Sequence, residues 1–208
     1  MTAIAVIDYD IGNLHSACKG IEKAGAEPII TSDPKIIANA DGVVLPGVGA
    51  FDHCMQNLRG HNLELPVKNA IASGKPFLGI CVGMQILFEG SEEGQESGLG
   101  IISGRVQRFK AEPQITIPHM GWNQLNITQP NCHLWQDLPK HPWMYFVHSY
   151  FAVPSDISVV AAYTQHGSQN ATAAIAINNL MAVQFHPEKS SEMGIKVLSN
   201  FVDFVRQQ

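Results

Sequence analysis

Charge is scarce in this sequence, and basic charge scarcer still: 13 Lys and Arg stand against 18 Asp and Glu in 208 residues. The resulting net charge of −5 argues against a general binder of phosphate backbones, which needs a basic face. No apolar run approaches the roughly 18 residues that a membrane-spanning helix requires. The opening "MTAIAVIDYD" carries no basic residue ahead of its apolar run and meets Asp8 early, unlike a secretory leader. A cytoplasmic protein is the expectation. Cysteine is sparse and scattered: Cys18, Cys54, Cys81 and Cys132 include no CxxC pair, so neither a zinc knuckle nor a disulfide framework is indicated. Internal repeats, low-complexity tracts and linkers are also missing. With 45% of its residues hydrophobic, the chain can fill one full core, and residues 1–208 read as a single domain.

The first half alternates β-rich and helical patterns. Residues 3–8, 27–32, 42–47 and 76–80 are short and mostly apolar, as expected of strands in a sheet covered on both faces. Between them, residues 12–25 place Leu14, Ala17, Cys18, Ile21 and Ala24 at helical spacing, and further helices are expected at 51–59, 63–73 and 82–89. This order predicts an α/β fold with a mostly parallel central sheet flanked by helices. The second half differs. After a polar, glycine-rich loop at 91–100 come extended runs at 104–109, 114–119, 122–127, 143–153, 158–164, 172–178 and 180–186. They predict an added mixed or antiparallel strand region. A final helix at 191–205 repeats Met193, Val197, Phe201 and Val205 every fourth residue and should cover the sheet.

Within this frame Cys81 is unusual. It is bracketed by Gly79 and Gly83 where a strand gives way to a helix. That is the setting of a nucleophile elbow, where crowding at a sharp turn demands glycine and the helix start activates the thiol. A packed cysteine in a glycine-rich turn fits the pattern equally well. A thiol nucleophile needs a base, and nine histidines are available. His186 ends an apolar strand in "LMAVQFHPEKSS", with Glu188 two positions on and able to orient its imidazole. His148 and His119 are the competitors. His-x-Glu with one distant cysteine matches no common zinc spacing, so no metal and no cofactor are expected. Pro46-Gly47-Val48-Gly49 lacks the lysine of a phosphate loop; its peptide N–H groups fit better as an oxyanion donor beside that of Val82. In "PHMGWN", exposed Met120 and Trp122 beside Gly121 would make an interface patch, although a buried strand is the plainer reading.

Taken together, Gly79-Ile80-Cys81-Val82-Gly83-Met84-Gln85, His186-Pro187-Glu188 and the Pro46–Gly49 loop resemble the triad (class I) glutamine amidotransferases. "DYDIGNLHS", "PHMGWN", "YFVHSYF" and "HPEKS" extend the resemblance over nearly the whole chain, toward the members that feed ammonia to a cyclase subunit. The resemblance implies a flavodoxin-like fold and a Cys81–His186–Glu188 triad acting on glutamine. It implies oxyanion donors at Val48, Gly49 and Val82, and substrate contacts at Gly49, Gln85, His148, Ser149 and Tyr150. It also implies a (β/α)8-barrel cyclase as heterodimeric partner, met by His119, Met120, Gly121, Trp122 and Lys189. Three alternatives remain at this stage: the glutaminase subunit of another synthase, a free-standing thiol hydrolase of the same fold, and a non-catalytic module.

Overall fold

The structure, a computed structural model, describes residues 2–208. Its centre is an eight-stranded sheet. The first four strands, β1 (Ala3–Ile7), β2 (Glu27–Thr31), β3 (Gly42–Gly47) and β4 (Phe77–Cys81), are parallel in the spatial order β2-β1-β3-β4. The helices between them are α1 (Leu14–Lys23), α2 (Pro34–Asn39), α3 (Phe51–Gly60) and α4 (Glu64–Ala72). Every residue of β3 and β4 is buried, which is why these strands read as unbroken apolar runs. Helix α2 is invisible to periodicity but carries a start signal. Asp33 accepts a hydrogen bond from the Lys35 N–H at 2.8 Å, and Pro34 fills the first helical position.

The helix expected at 82–89 is cut short: α5 spans only Val82–Gln85. The carbonyls of Ile86, Leu87 and Phe88 accept instead from the N–H groups of Leu99, Ile101 and Gly100. The glycine-rich loop thus takes the acceptors that another helical turn would have used.

The second half supplies β5 (Gly104–Arg108), β6 (His119–Gln124), β7 (Asn126–Ile127), β8 (Trp143–His148), β9 (Tyr150–Pro154), β10 (Val160–His166), β11 (Gln169–Ile177) and β12 (Leu180–Val183). β12 inserts parallel to β4, and β11, β10 and β7 continue antiparallel. Two small pairs, β5–β9 and β6–β8, stand apart from the main sheet. The run expected at 143–153 therefore splits at Ser149 into strands with different partners. The run expected at 114–119 is strand only from His119 onward; Pro118 has no N–H to give a ladder. Last comes α6 (Ser191–Arg206), burying Val197, Phe201 and Val205 as expected.

Candidate active site

Three parallel strands set the site. Gly47 at the end of β3 lies beside Cys81 at the end of β4, and Ile80 lies beside Val183 of β12. The segments leaving these strands emerge side by side at one sheet edge, where open α/β sheets bind ligands. A cleft of about 410 Å³ opens there, lined by Val48, Gly49, Cys81, Val82, Gln85, Glu93, Pro118, Val147, His148, Ser149, Tyr150, His186 and Lys189.

Cys81 sits at φ +57°, ψ −113°, a conformation that side-chain-bearing residues rarely adopt. Glycine permits the turn from both sides. A Cβ on Gly83 would stand 2.0 Å from the Leu45 carbonyl oxygen, and one on Gly79 would stand 2.9 Å from the Gly83 carbonyl oxygen. Val82 opens α5 directly after the cysteine, so its N–H has no partner within the helix.

His186 follows β12. Its Nδ1 is 2.8 Å from Glu188 Oε1, with the two side chains 4% and 5% exposed. Pro187–Lys189 form a single 3-10 turn that folds Glu188 back onto the imidazole. Ser190 anchors that turn, donating to the His186 carbonyl at 2.7 Å and accepting from the Tyr145 N–H at 2.9 Å. Burial would lower the basicity of His186, but the neighbouring Cys81 sulfur and Glu188 carboxylate outweigh it and raise its pKa to about 10. The second oxygen of Glu188 is buried without a partner, so the carboxylate is directed at His186 alone.

The glycine loop after β3 is held from beneath. Tyr9, fully buried, donates its hydroxyl to the Pro46 carbonyl at 2.6 Å, and the Cys54 thiol donates to the Val48 carbonyl at 3.4 Å. Burial raises Cys54 to about 12, so it is an inert donor beside the cleft. Gly49, at φ +87°, leaves the loop open toward the cleft.

His148 and His119 take a different place from His186. His148 Nδ1 donates to the Tyr150 carbonyl at 2.8 Å, and its Nε2 lies 3.1 Å from His119 Nδ1. His119 stacks between Phe146 and His166 at ring distances of 4.9 and 4.3 Å. Burial lowers His148 to about 3 and His119 to about 4, so both rings are neutral. Both nitrogens of His148 are committed within the protein, while Ser149 and Tyr150, partly exposed, line the cleft. His119 is buried too. It braces the β6–β8 pair from within and does not face outward.

The outer face of that pair is different. Met120 pairs with Val147, Trp122 with Tyr145 and Gln124 with Trp143. Met120, Trp122 and Trp143 are 63%, 50% and 51% exposed, an aromatic ribbon that starts at the cleft and has nothing packed on it among the described residues. Gly121 lies between the two large residues, and Lys189 is exposed at the cleft mouth.

The glutamine amidotransferase class-I family profile matches residues 5–204. The chain belongs to that family. This amidotransferase is 65% identical over 206 residues to "Imidazole glycerol phosphate synthase subunit HisH" of Gloeothece citriformis, covering 99% of this chain and 98% of the relative. The same-named protein of Nostoc punctiforme is 63% identical over 208 residues, covering 100% and 99%. Among solved structures, a glutamine amidotransferase superposes with a TM-score of 0.74 at 16% identity, over 98% of both chains. The glutaminase domain of Trypanosoma brucei CTPS reaches 0.73 at 15%, over 100% of this chain and 95% of that one. The fold is the amidotransferase one.

Three features of the amidotransferase escape the sequence reading. Gln184, fully buried, places its side-chain nitrogen 3.7 Å from the Cys81 sulfur. Its only signal is a polar residue at the end of an apolar strand. Glu93 lines the cleft and accepts the Phe51 N–H at 2.9 Å. It lies in a loop whose polarity gives no hint of function. Trp143 joins the exposed ribbon through strand pairing alone, a long-range fact.

Proposed function

We propose that this chain, residues 1–208 acting as one domain, is the cytoplasmic glutaminase subunit of an imidazole glycerol phosphate synthase. The observation that carries the reading is Cys81 on a left-handed elbow, lining one cleft with an imidazole that Glu188 holds at 2.8 Å. With its proton on His186, the Cys81 sulfur attacks the side-chain amide carbon of glutamine. The Val82 N–H, with one from Val48 or Gly49, takes the developing oxyanion. His186 then gives its proton to the departing ammonia. Water, deprotonated by His186, cleaves the γ-glutamyl thioester to glutamate and returns the thiol.

The cleft suits glutamine. Gln85 is one helical turn past Cys81, Gly49, Ser149 and Tyr150 line the same cleft, and Glu93 offers a carboxylate to the α-ammonium. Ammonia set free in water at neutral pH is mostly protonated and no longer nucleophilic, so it must be handed on. The ribbon of Met120, Trp122 and Trp143 beside the cleft, with Lys189, is the face for a (β/α)8-barrel cyclase subunit. That partner would join ammonia to a phosphoribulosyl formimino aminoimidazole carboxamide ribonucleotide, giving imidazole glycerol phosphate and an aminoimidazole carboxamide ribonucleotide.

The deciding experiment mixes the chain with that cyclase and compares wild type with Cys81→Ala. Glutamine-dependent synthesis should vanish in the variant while synthesis from added ammonium salt continues. Loss of both, or of neither, would overturn the reading.

A further inference from the structure

Gln184 is completely buried, two residues before His186 and directly after four buried apolar residues of β12. A primary amide in such a place costs stability unless its oxygen and nitrogen are both partnered. Here they are. The oxygen accepts from Gln85 Nε2 at 3.0 Å, and the nitrogen lies 3.7 Å from the Cys81 sulfur, a hydrogen-bonding distance for that larger atom. The backbone N–H adds a bond to the Ala173 carbonyl at 2.8 Å, which fixes where the side chain begins.

The two ends of an amide have the same shape, so something must decide which one meets the sulfur. The Tyr150 carbonyl decides it. That oxygen can only accept, and it takes Gln85 Nε2–H at 3.0 Å and His148 Nδ1–H at 2.8 Å. The nitrogen end of Gln85 is therefore committed to Tyr150, and its second hydrogen points at Gln184. Gln184 must answer with oxygen, which leaves its NH2 for Cys81. The same wall that lines the glutamine cleft thus sets the donor that faces the nucleophile.

We infer that Gln184 is a further catalytic residue, donating a side-chain N–H to the sulfur of Cys81 and so favouring the charged, attacking form of that atom. This rests on the reading of Cys81 as the nucleophile. A hydrogen bond to a thiolate is stronger than one to a thiol or a thioester sulfur. It therefore favours transfer of the Cys81 proton to His186, weakens as the carbon–sulfur bond forms, and strengthens again when the sulfur departs from the second tetrahedral intermediate. The gain in thiolate outweighs the loss in intrinsic nucleophilicity, which falls by only about 0.4–0.5 log unit for each unit of basicity removed.

The test is the pH dependence of Cys81 alkylation by iodoacetamide in the full-length chain, read by mass spectrometry at the Cys81 peptide. Gln184→Met keeps the length and removes the donor. Its alkylation rate at pH 7 should fall about tenfold, with the rising limb of the profile displaced to higher pH. Gln184→Glu, isosteric but with a carboxylate facing the sulfur, should fall further. A folded Gln184→Met variant that follows the wild-type profile would overturn the inference. A third measurement needs no substitution. In chain labelled with 15N-glutamine, the Gln184 side-chain N–H resonance should move when Cys81 is alkylated, and an unmoved resonance also overturns it. Neither readout needs glutamine turnover. Wild-type chain inert toward glutamine even with the cyclase present, its alkylation profile displaced in the variants, would sink the proposed function and leave this bond standing; a chain active with the cyclase but with an unmoved profile would do the reverse.

Discussion

Replacing Gly83 by alanine tests the elbow with a single methyl group. Its Cβ would lie 2.0 Å from the Leu45 carbonyl oxygen, 3.0 Å from the Leu45 carbonyl carbon and 3.3 Å from that of Pro46. All three neighbours are backbone, so no flexible side chain can swing aside. Bringing the shortest contact to a tolerable separation requires the end of β3 and the start of α5 to part by about 1 Å. Forcing an extra methyl into a packed site costs about 1–3 kcal/mol, and the rigid surroundings place this one at the upper end. The same movement separates the Pro46–Gly49 loop from the Val82 N–H, the two sides of the proposed oxyanion site. A misplacement near 1 Å costs on the order of 10²-fold in rate. Urea denaturation would read the first quantity, and kcat for glutamine hydrolysis in the presence of the cyclase the second. Gly60→Ala is the control, because a Cβ there meets nothing within 4 Å. If Gly83→Ala matches Gly60→Ala in both assays, the close approach of strand and helix is not what makes this turn.

Three more predictions follow from the site. His186 is raised from 6.5 to about 10 in the folded chain, so its contribution to stability is full below pH 6.5 and is lost as pH rises through 10. Urea denaturation against pH, compared with His186→Gln, should show that loss, and Glu188→Gln should bring it to lower pH. Tyr9→Phe strips the 2.6 Å donor from the Pro46 carbonyl; it should cost about 1–3 kcal/mol in denaturation and lower kcat more than it raises KM. Trp122→Ala and Trp143→Ala, both half exposed, should leave the melting temperature unchanged. They should weaken cyclase binding by more than about 1 kcal/mol each in titration calorimetry, as buried aromatic anchors do.

What the sequence discloses here follows the range of the interactions involved. β1, β3 and β4 and helices α1, α3 and α6 are legible because burial on both faces or on one stripe writes itself as apolar periodicity. Cys81 with its two glycines is legible because a strained turn needs them at fixed offsets. The stop of α5 after Gln85 is not, since acceptors beyond it are claimed by Leu99, Gly100 and Ile101 from a loop with no periodic pattern. The pairing of Trp143 with Gln124 and the burial of His119 behind Met120 depend on which strands meet, a tertiary fact. Gln184 is the sharpest case. Alone it reads as a polar interruption at a strand end, and only when β12 lies against β4 does its amide reach the sulfur.

The position of β12 has a consequence for how the molecule is made. This strand lies in the middle of the sheet, between β4 and β11, yet only α6 follows it as a regular element of more than one turn. Until residues 180–183 pair with residues 77–80, the nascent chain holds a parallel half-sheet with a bare edge at β4 and, apart from it, an antiparallel remainder. An open apolar edge invites pairing with another chain, and a contact of such long sequence separation closes slowly. Folding of newly made chains should therefore be gated by this one insertion, and aggregation should compete with it. The same gate keeps the thiol from its base: Cys81 meets Gln184 and His186 only when the last strand is seated, so an incomplete chain carries the cysteine without the chemistry.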